Sequence, residues 1–301
     1  MPARLILNAD DFGLTPGINR AIAELHSAAA LTSATLMANG LAFDDAVRIA
    51  RAQPSLGIGC HIVLTDGVPL SPPDTIPTLL GPDRRSFRAS VTDFFGAVLL
   101  GKVSGDDIFR EAQAQIDRIQ QQGIPLTHLD THKHTHILSG VARPLLAVAE
   151  RNGIRAIRNP FEPRWSIALG KSPMLRQLQL RSLRHLQPRF LALPQIRSGR
   201  VTTTSGTLGI SATGHLNRTT LAATLNAMPS GNWELVCHPG YNDRDLDAIT
   251  TRLRATRDIE RTTLLDAFSP IYAQPANPQN QNPPLPQLIN YKDLGIQAPL
   301  T

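Results

Sequence analysis

The sequence predicts an α/β chain folded as a (β/α) barrel of the TIM type, distorted and with about seven strands. Three observations predict it. Short apolar, often β-branched runs alternate with longer stretches whose apolar residues recur three and four apart, the rhythm of βα units around a parallel sheet. The 301 residues, 42% of them hydrophobic, are enough for one large core of this kind. The chemically unusual side chains fall at the C-terminal ends of the apolar runs, where such barrels place their active sites.

The runs read as strands cover residues 4–8, 32–37, 57–63, 126–130, 155–158, 201–204 and 234–237. Residues 16–29, 43–52, 106–122, 138–152, 219–227 and 245–267 carry helical spacing. Asp106 is the expected N-cap of its helix and Gly123 its stop, because the first supplies a side-chain acceptor and the second tolerates a left-handed backbone. Residues 65–90, with five prolines, read as a long loop that lines a site or moves. One catalytic barrel is expected over 1–268. The remaining 269–301, rich in Pro, Gln and Asn, reads as a tail, partly disordered or strapped on the surface. No internal repeat is found.

With 18% charged residues and no apolar run near twenty residues, there is no candidate membrane span. The N-terminus lacks the pattern of a secretory signal, so a cytoplasmic location is expected. Cys60 and Cys237 each precede a histidine and read as small buried residues, not as a disulfide framework. The net charge of +6 gathers largely between Arg164 and Arg200. That stretch is either a solvated helix face or a peripheral contact with a membrane's inner surface. Nucleic acid ranks last as a partner, for want of a recognition motif or stacking set. The sequence leaves the oligomeric state open, a homo-oligomer included.

Asp10 and Asp11 leave the first strand side by side, and two ionised carboxylates there call for a cation, a donor network or a raised pKa. The plain alternative is a helix N-cap with an exposed neighbour. His61 lies in a strand otherwise too apolar to be exposed, where a hydrogen-bonded core histidine is the alternative to a metal ligand. The run from His128 to His136 packs four imidazoles and Asp130 into nine residues. Imidazole is the commonest metal ligand, and a carboxylate can orient one through its other nitrogen. Strand alternation would let His132, His134 and His136 share one face. The spacing is neither that of a zinc finger nor the two-histidine helical motif of metalloproteases. A Pro-Gly turn fixes His238 at the mouth of the last strand, again with a core role as the alternative.

Four ordered motifs, NADDFG at 8–13, GxHxxLT at 59–65, HLDTHKHTH at 128–136 and CHPGY at 237–241, resemble the YdjC-like (ChbG) carbohydrate deacetylase family over roughly residues 1–268. Asp66 to Leu70, the Ile76-Pro77 step, and Arg158 with Glu162 in RNPFEP are similar to its hopanoid-biosynthesis branch, HpnK. The resemblance implies a barrel related to polysaccharide deacetylases and one divalent ion, Mg²⁺ or Zn²⁺, on Asp11, His61 and His132. It implies Asp10 as general base, His238 as acid, Arg158 as orienting or contacting group, and Glu162, His134 and His136 at the substrate. Lys133 and Thr135 stand where relatives often carry other residues. The implied reaction removes acetyl from an N-acetylated amino sugar, either a glycolipid of the glucosaminyl-hopanoid kind or a chitooligosaccharide. Glycoside hydrolysis by Asp10 and Asp11 fits poorly, since adjacent residues struggle to flank a bond at the roughly 5 Å or more that such pairs need. A non-catalytic sugar or lipid-headgroup binder on the same barrel is the rival from another class.

Overall fold

The structure, a computed structural model, describes residues 3–270 and 286–294. Seven strands, β1 (Ala3–Phe12), β2 (Ser33–Leu36), β3 (Gly57–Ile62), β4 (His128–Thr131), β5 (Gly206–Leu208), β6 (Gly231–Cys237) and β7 (Gln287–Ile289), form one sheet. Its order is β4-β3-β2-β1-β6-β5, and every ladder is parallel. Helices between the strands cover the outside, so β1 is buried on both faces. That is why Leu5, Ile6 and Leu7 follow one another without a polar break. β6 pairs along one edge of β1 from Ala3 to Ala9, which leaves the other edge to two partners. β2 takes the Asn8 to Phe12 half, and β7 takes Arg4 to Ile6.

The ring closes irregularly. Residues 155–158 and 201–204, expected as strands, contribute single parallel bridges, Leu129↔Ile157 and Ala156↔Thr202. Pro160 and Pro163 have no N–H to extend a ladder. The Thr207 amide instead donates to the Phe161 carbonyl at 3.3 Å and ties β5 to this side.

The helices are α1 (Pro16–Ser27), α2 (Phe43–Ala52), α3 (Val91–Leu99), α4 (Gly105–Gln120), α5 (Ser139–Arg151), α6 (Arg164–Leu169), α7 (Met174–Leu183), α8 (Gln187–Leu191), α9 (Pro194–Arg197), α10 (Arg218–Asn226) and α11 (Ala255–Phe268). α2 has the expected bounds. α4 is capped by Ser104, whose hydroxyl accepts from the Asp106 amide, so Asp106 sits inside the first turn, where its charge still suits the helix dipole. Gly123 takes a φ of +72° as its expected stop. The helix expected over 245–267 is two pieces, a 3₁₀ turn Arg244–Ala248 capped by Asp243, then α11. The long loop is ordered, because the Glu111 carboxylate accepts from the amides of Leu70 and Ser71. α3 was not anticipated, and the basic stretch read as a solvated helix face is a chain of short helices, α6 to α9. No helix among the described residues is long and apolar enough to cross a membrane.

Most of the expected tail, 271–285 and 295–301, lies outside the described residues. Residues 286–294 are no surface strap. β7 joins the sheet, and Tyr291 is buried with its ring stacked on His128, centroids 3.7 Å apart. The register places Gly59 beside His128, and a Cβ at Gly59 would lie 2.4 Å from that imidazole. Only glycine leaves the ring its place. Cys60 and Cys237 are buried and free, as expected.

Candidate active site

Alternation along β1 would send Asp10 and Asp11 to opposite faces. The β1–β2 register shifts between Ala9 and Phe12, and Asp11 adopts a φ of +67°. This bulge turns both neighbouring carboxylates toward the same centre. β3 contributes His61, and its ladder partner on β4 is Asp130. The His61 Nδ1–H donates to Asp130 Oδ1 at 2.9 Å, which fixes the ring and aims Nε2 inward.

The histidine run does not continue β4. Thr131 ends the strand, and a kinked 3₁₀ turn comes next in which Lys133 and His134 are both left-handed, with φ of 56° and 52°. The three histidines therefore do not share one strand face. His132 turns to the centre. His134 is half-buried, with Nδ1 unpartnered. His136 is fully buried behind the site, where Nδ1 meets Thr131 Oγ1 at 2.7 Å and Nε2 meets the Arg158 carbonyl at 3.2 Å. It has no nitrogen left for a substrate.

Asp11 Oδ1, His61 Nε2 and His132 Nδ1 converge. The separations are 3.9 Å for Asp11–His61, 3.6 Å for Asp11–His132 and 3.3 Å for His61–His132. Two atoms each bound at roughly 2.1 Å to one ion can stand no more than about 4.2 Å apart, so all three separations fit a shared cation. Donor chemistry agrees. Burial, only partly opposed by Asp11, holds His132 down at about 4, so its nitrogen lone pair is free at neutral pH. Burial opposes charge on His61, yet Asp130, Asp10 and Asp11 outweigh it and lift the ring to about 9. The carboxylates thus call for a positive charge at the spot where the three donors meet. These residues could hold one metal ion.

Beneath the triad lies Arg158, fully buried at the end of the 155–158 segment. It donates to Asp10 from both terminal nitrogens, at 2.9 and 2.7 Å, and to Glu234 Oε1 from Nε and Nη2, at 2.9 and 2.7 Å. Its Nη1 is also 2.6 Å from Asp130 Oδ2. Burial penalises charge on Asp10, but Arg158, then His61, keep its carboxyl well below the ordinary range. Arg158 therefore orients carboxylates and has no exposed surface to offer a substrate. On the far side, His238 Nε2 stands 3.9 Å from Asp10 Oδ2, with Nδ1 buried and unpartnered. Glu162 is not in the cavity. It accepts from the amides of Gly209 and Ser211 and the hydroxyls of Ser166 and Ser211, and burial raises its pKa.

Sequence reasoning missed four members. Arg257 of α11 donates to Asp11 Oδ2 at 2.6 Å, and Glu260, one turn on, accepts the His238 amide at 2.6 Å. Glu234 of β6 anchors Arg158, and the Tyr291 hydroxyl donates to Glu234 at 2.5 Å. Of these, only Glu234 carried a signal, as an acid inside a buried apolar strand.

The model of the YdjC-like protein family matches residues 4–269. The chain is 40% identical over 158 residues to a carbohydrate deacetylase of Brevibacillus brevis, across 52% of this chain and 60% of that one. It is 40% identical over 151 residues to one from Geobacillus stearothermophilus, covering 58% of it, so these two matches span somewhat over half of each relative. A carbohydrate deacetylase of Thermoanaerobacter pseudethanolicus is 27% identical over 265 residues, across 87% of this chain and 90% of that one. A crystal structure from Enterococcus faecalis V583, described as a candidate cellobiose-phosphate cleavage protein, superposes with a TM-score of 0.68. It covers 89% of this chain and 92% of its own at 23% identity, and shares the fold. With the matched region running from the second residue of β1 to just past α11, and so enclosing every side chain of the triad, the chain belongs to the YdjC-like protein family.

Proposed function

We propose that the chain is a metal-dependent carbohydrate deacetylase, which hydrolyses the acetyl group from an N-acetylated amino sugar to give acetate and a free amine. The observation that carries this reading is the meeting of Asp11, His61 and His132 at 3.3 to 3.9 Å, with Asp10 and His238 beside them. The names of the relatives point the same way.

The ion, when bound to the triad, would polarise the acetyl carbonyl and acidify a water, bringing that water within reach of a carboxylate as well ionised as Asp10. Two imidazoles and a carboxylate suit zinc, and magnesium is the competing occupant. Asp10, locked by Arg158, accepts a proton from the attacking water. His238, its backbone fixed by Glu260, donates a proton to the nitrogen as the C–N bond breaks, since an amine leaves poorly unless protonated. We assign His134, whose half-buried ring keeps Nδ1 unpartnered, to substrate binding. A binding protein without catalysis would have no use for Asp10 and His238 in this pairing.

For the substrate we assign a lipid-linked sugar of the glucosaminyl-hopanoid kind over a chitooligosaccharide, on the strength of the motif at 66–70 and RNPFEP. Acetate release is measured on paired lipid-linked and soluble N-acetylglucosamine conjugates, with and without chelator, alongside metal content. Chelator-resistant release overturns the metal role, and a strong preference for the soluble oligosaccharide overturns the lipid assignment. Survival of turnover within about tenfold in Asp10→Asn overturns Asp10 as base.

A further inference from the structure

Between Glu162 and Glu234 the sequence holds nine lysines and arginines and not one acidic residue, against +6 for the whole chain, so the remainder is net negative. In a folded protein such a block must face either water or an anionic partner. Arg200 and Arg218 are neutralised by Glu150 and Asp266 from outside the block, and Arg184 turns inward to the Glu162 carbonyl. Arg164, Lys171, Arg176, Arg181, Arg189 and Arg197 are exposed and have no carboxylate at ion-pair distance among the described residues.

The same block exposes large apolar side chains. α7 buries Leu180 on one face. The opposite face presents Met174, Leu175 and Leu178, 78%, 69% and 53% exposed, followed by Arg181, Ser182 and His185 at helical spacing. Arg164, Leu178, Arg181, Ser182 and His185 line an open cleft of about 470 Å³, cationic and apolar at once. Of nine large hydrophobic residues exposed among the described ones, three lie on α7 and a fourth, Leu191, follows in α8.

We propose that this face docks on the surface of an anionic phospholipid bilayer. In this arrangement α7 lies in the interface with Met174, Leu175 and Leu178 among the acyl chains, and the flanking arginines and Lys171 meet phosphate headgroups. Interfacial helices work this way, with apolar insertion for grip and basic residues for selection of anionic lipid. A water-facing helix has no reason to expose three such residues on one face. A nucleic-acid groove would call for aromatic platforms, and no Phe, Tyr or Trp is exposed between Arg164 and Arg197.

The docking does not depend on catalysis and is tested apart from it. The full chain is floated with vesicles of phosphatidylcholine alone and of phosphatidylcholine mixed with the anionic lipid phosphatidylglycerol. Binding is expected only to the second, weakening as salt rises. Leu175→Glu with Leu178→Glu, and separately Arg164→Glu with Arg181→Glu, are each expected to lower it about tenfold, with circular dichroism and turnover of a soluble acetylated sugar unchanged. Asp11→Asn is expected to bind as well as the parent. Equal binding to both vesicle types, no binding to either, undiminished binding by both double variants, or binding of a single-stranded oligonucleotide in preference to anionic vesicles overturns the proposal.

Discussion

The Tyr291 hydroxyl donates to Glu234 at 2.5 Å, and Glu234 in turn holds the guanidinium that grips Asp10. A residue 281 positions away in the chain thereby braces the proposed base. Tyr291→Phe keeps the stack on His128 and removes only the donor. It is expected to cost about 1–3 kcal/mol of stability, as a buried acceptor loses its partner, and to lower turnover through Asp10. Thermal melts and the pH profile of turnover check this together. A lower melting temperature with an unaltered profile would make Tyr291 structural only.

Arg158 is surrounded by Asp10, Asp130 and Glu234. Arg158→Met leaves carboxylates buried without their cation, and breaking such a cluster costs roughly 3–5 kcal/mol. Arg158→Lys keeps the charge but loses the two-pronged grip, so it is expected to fold and to lose most turnover. Denaturant titration beside an acetate assay separates the two outcomes.

His136 is held neutral by burial, with Arg158 nearby, at about 3. The unfolded chain takes up that proton near 6.5, so its contribution to stability is present above about 6.5 and drains away as pH falls toward 3. By pH 5 the loss amounts to about 2 kcal/mol. The carboxylates Asp10 and Asp11, depressed in the fold, lose theirs as pH falls from the usual carboxylate range down through their lowered values. Stability of the parent is expected to decline from pH 6.5 to 5, and that of His136→Gln to decline less. Equal losses of unfolding free energy between the two pH values, from urea titrations of parent and variant, would contradict the assignment.

Glu162 accepts four hydrogen bonds that pin residues 209–211 to α6. Glu162→Ala is expected to lower the melting temperature by several degrees, with little change in KM for a soluble acetylated sugar. A large rise in KM at unchanged stability would return this residue to the substrate.

Much of this was legible beforehand for a chemical reason. Asp10, Asp11, His61 and His238 interrupt or end apolar runs, and polar groups in such places demand partners, so their position was already a statement about a site. The expected strand face for His132, His134 and His136 failed because two left-handed residues reverse the chain after Thr131. Nothing local in Lys133 or His134 announces that. Arg257 and Glu260 lie at a spacing that also suits the solvent side of a helix, and only the docking of α11 turns them inward. Tyr291 comes after a polar, proline-rich stretch that suggests no packing at all. Residues 155–158 had strand composition, yet the prolines just beyond them stop the ladder.

A chain is made in order, and domains begin to fold while synthesis proceeds. Tyr291 leaves the ribosome after every other member of the site, and β7 fills the edge of β1 only then. A nascent barrel with six strands already paired still lacks the hydroxyl that satisfies Glu234, so the guanidinium and its acids wait, half assembled, for a contribution from the far end. A ribosome halted before that point would release a barrel whose shape is nearly finished and whose centre is not.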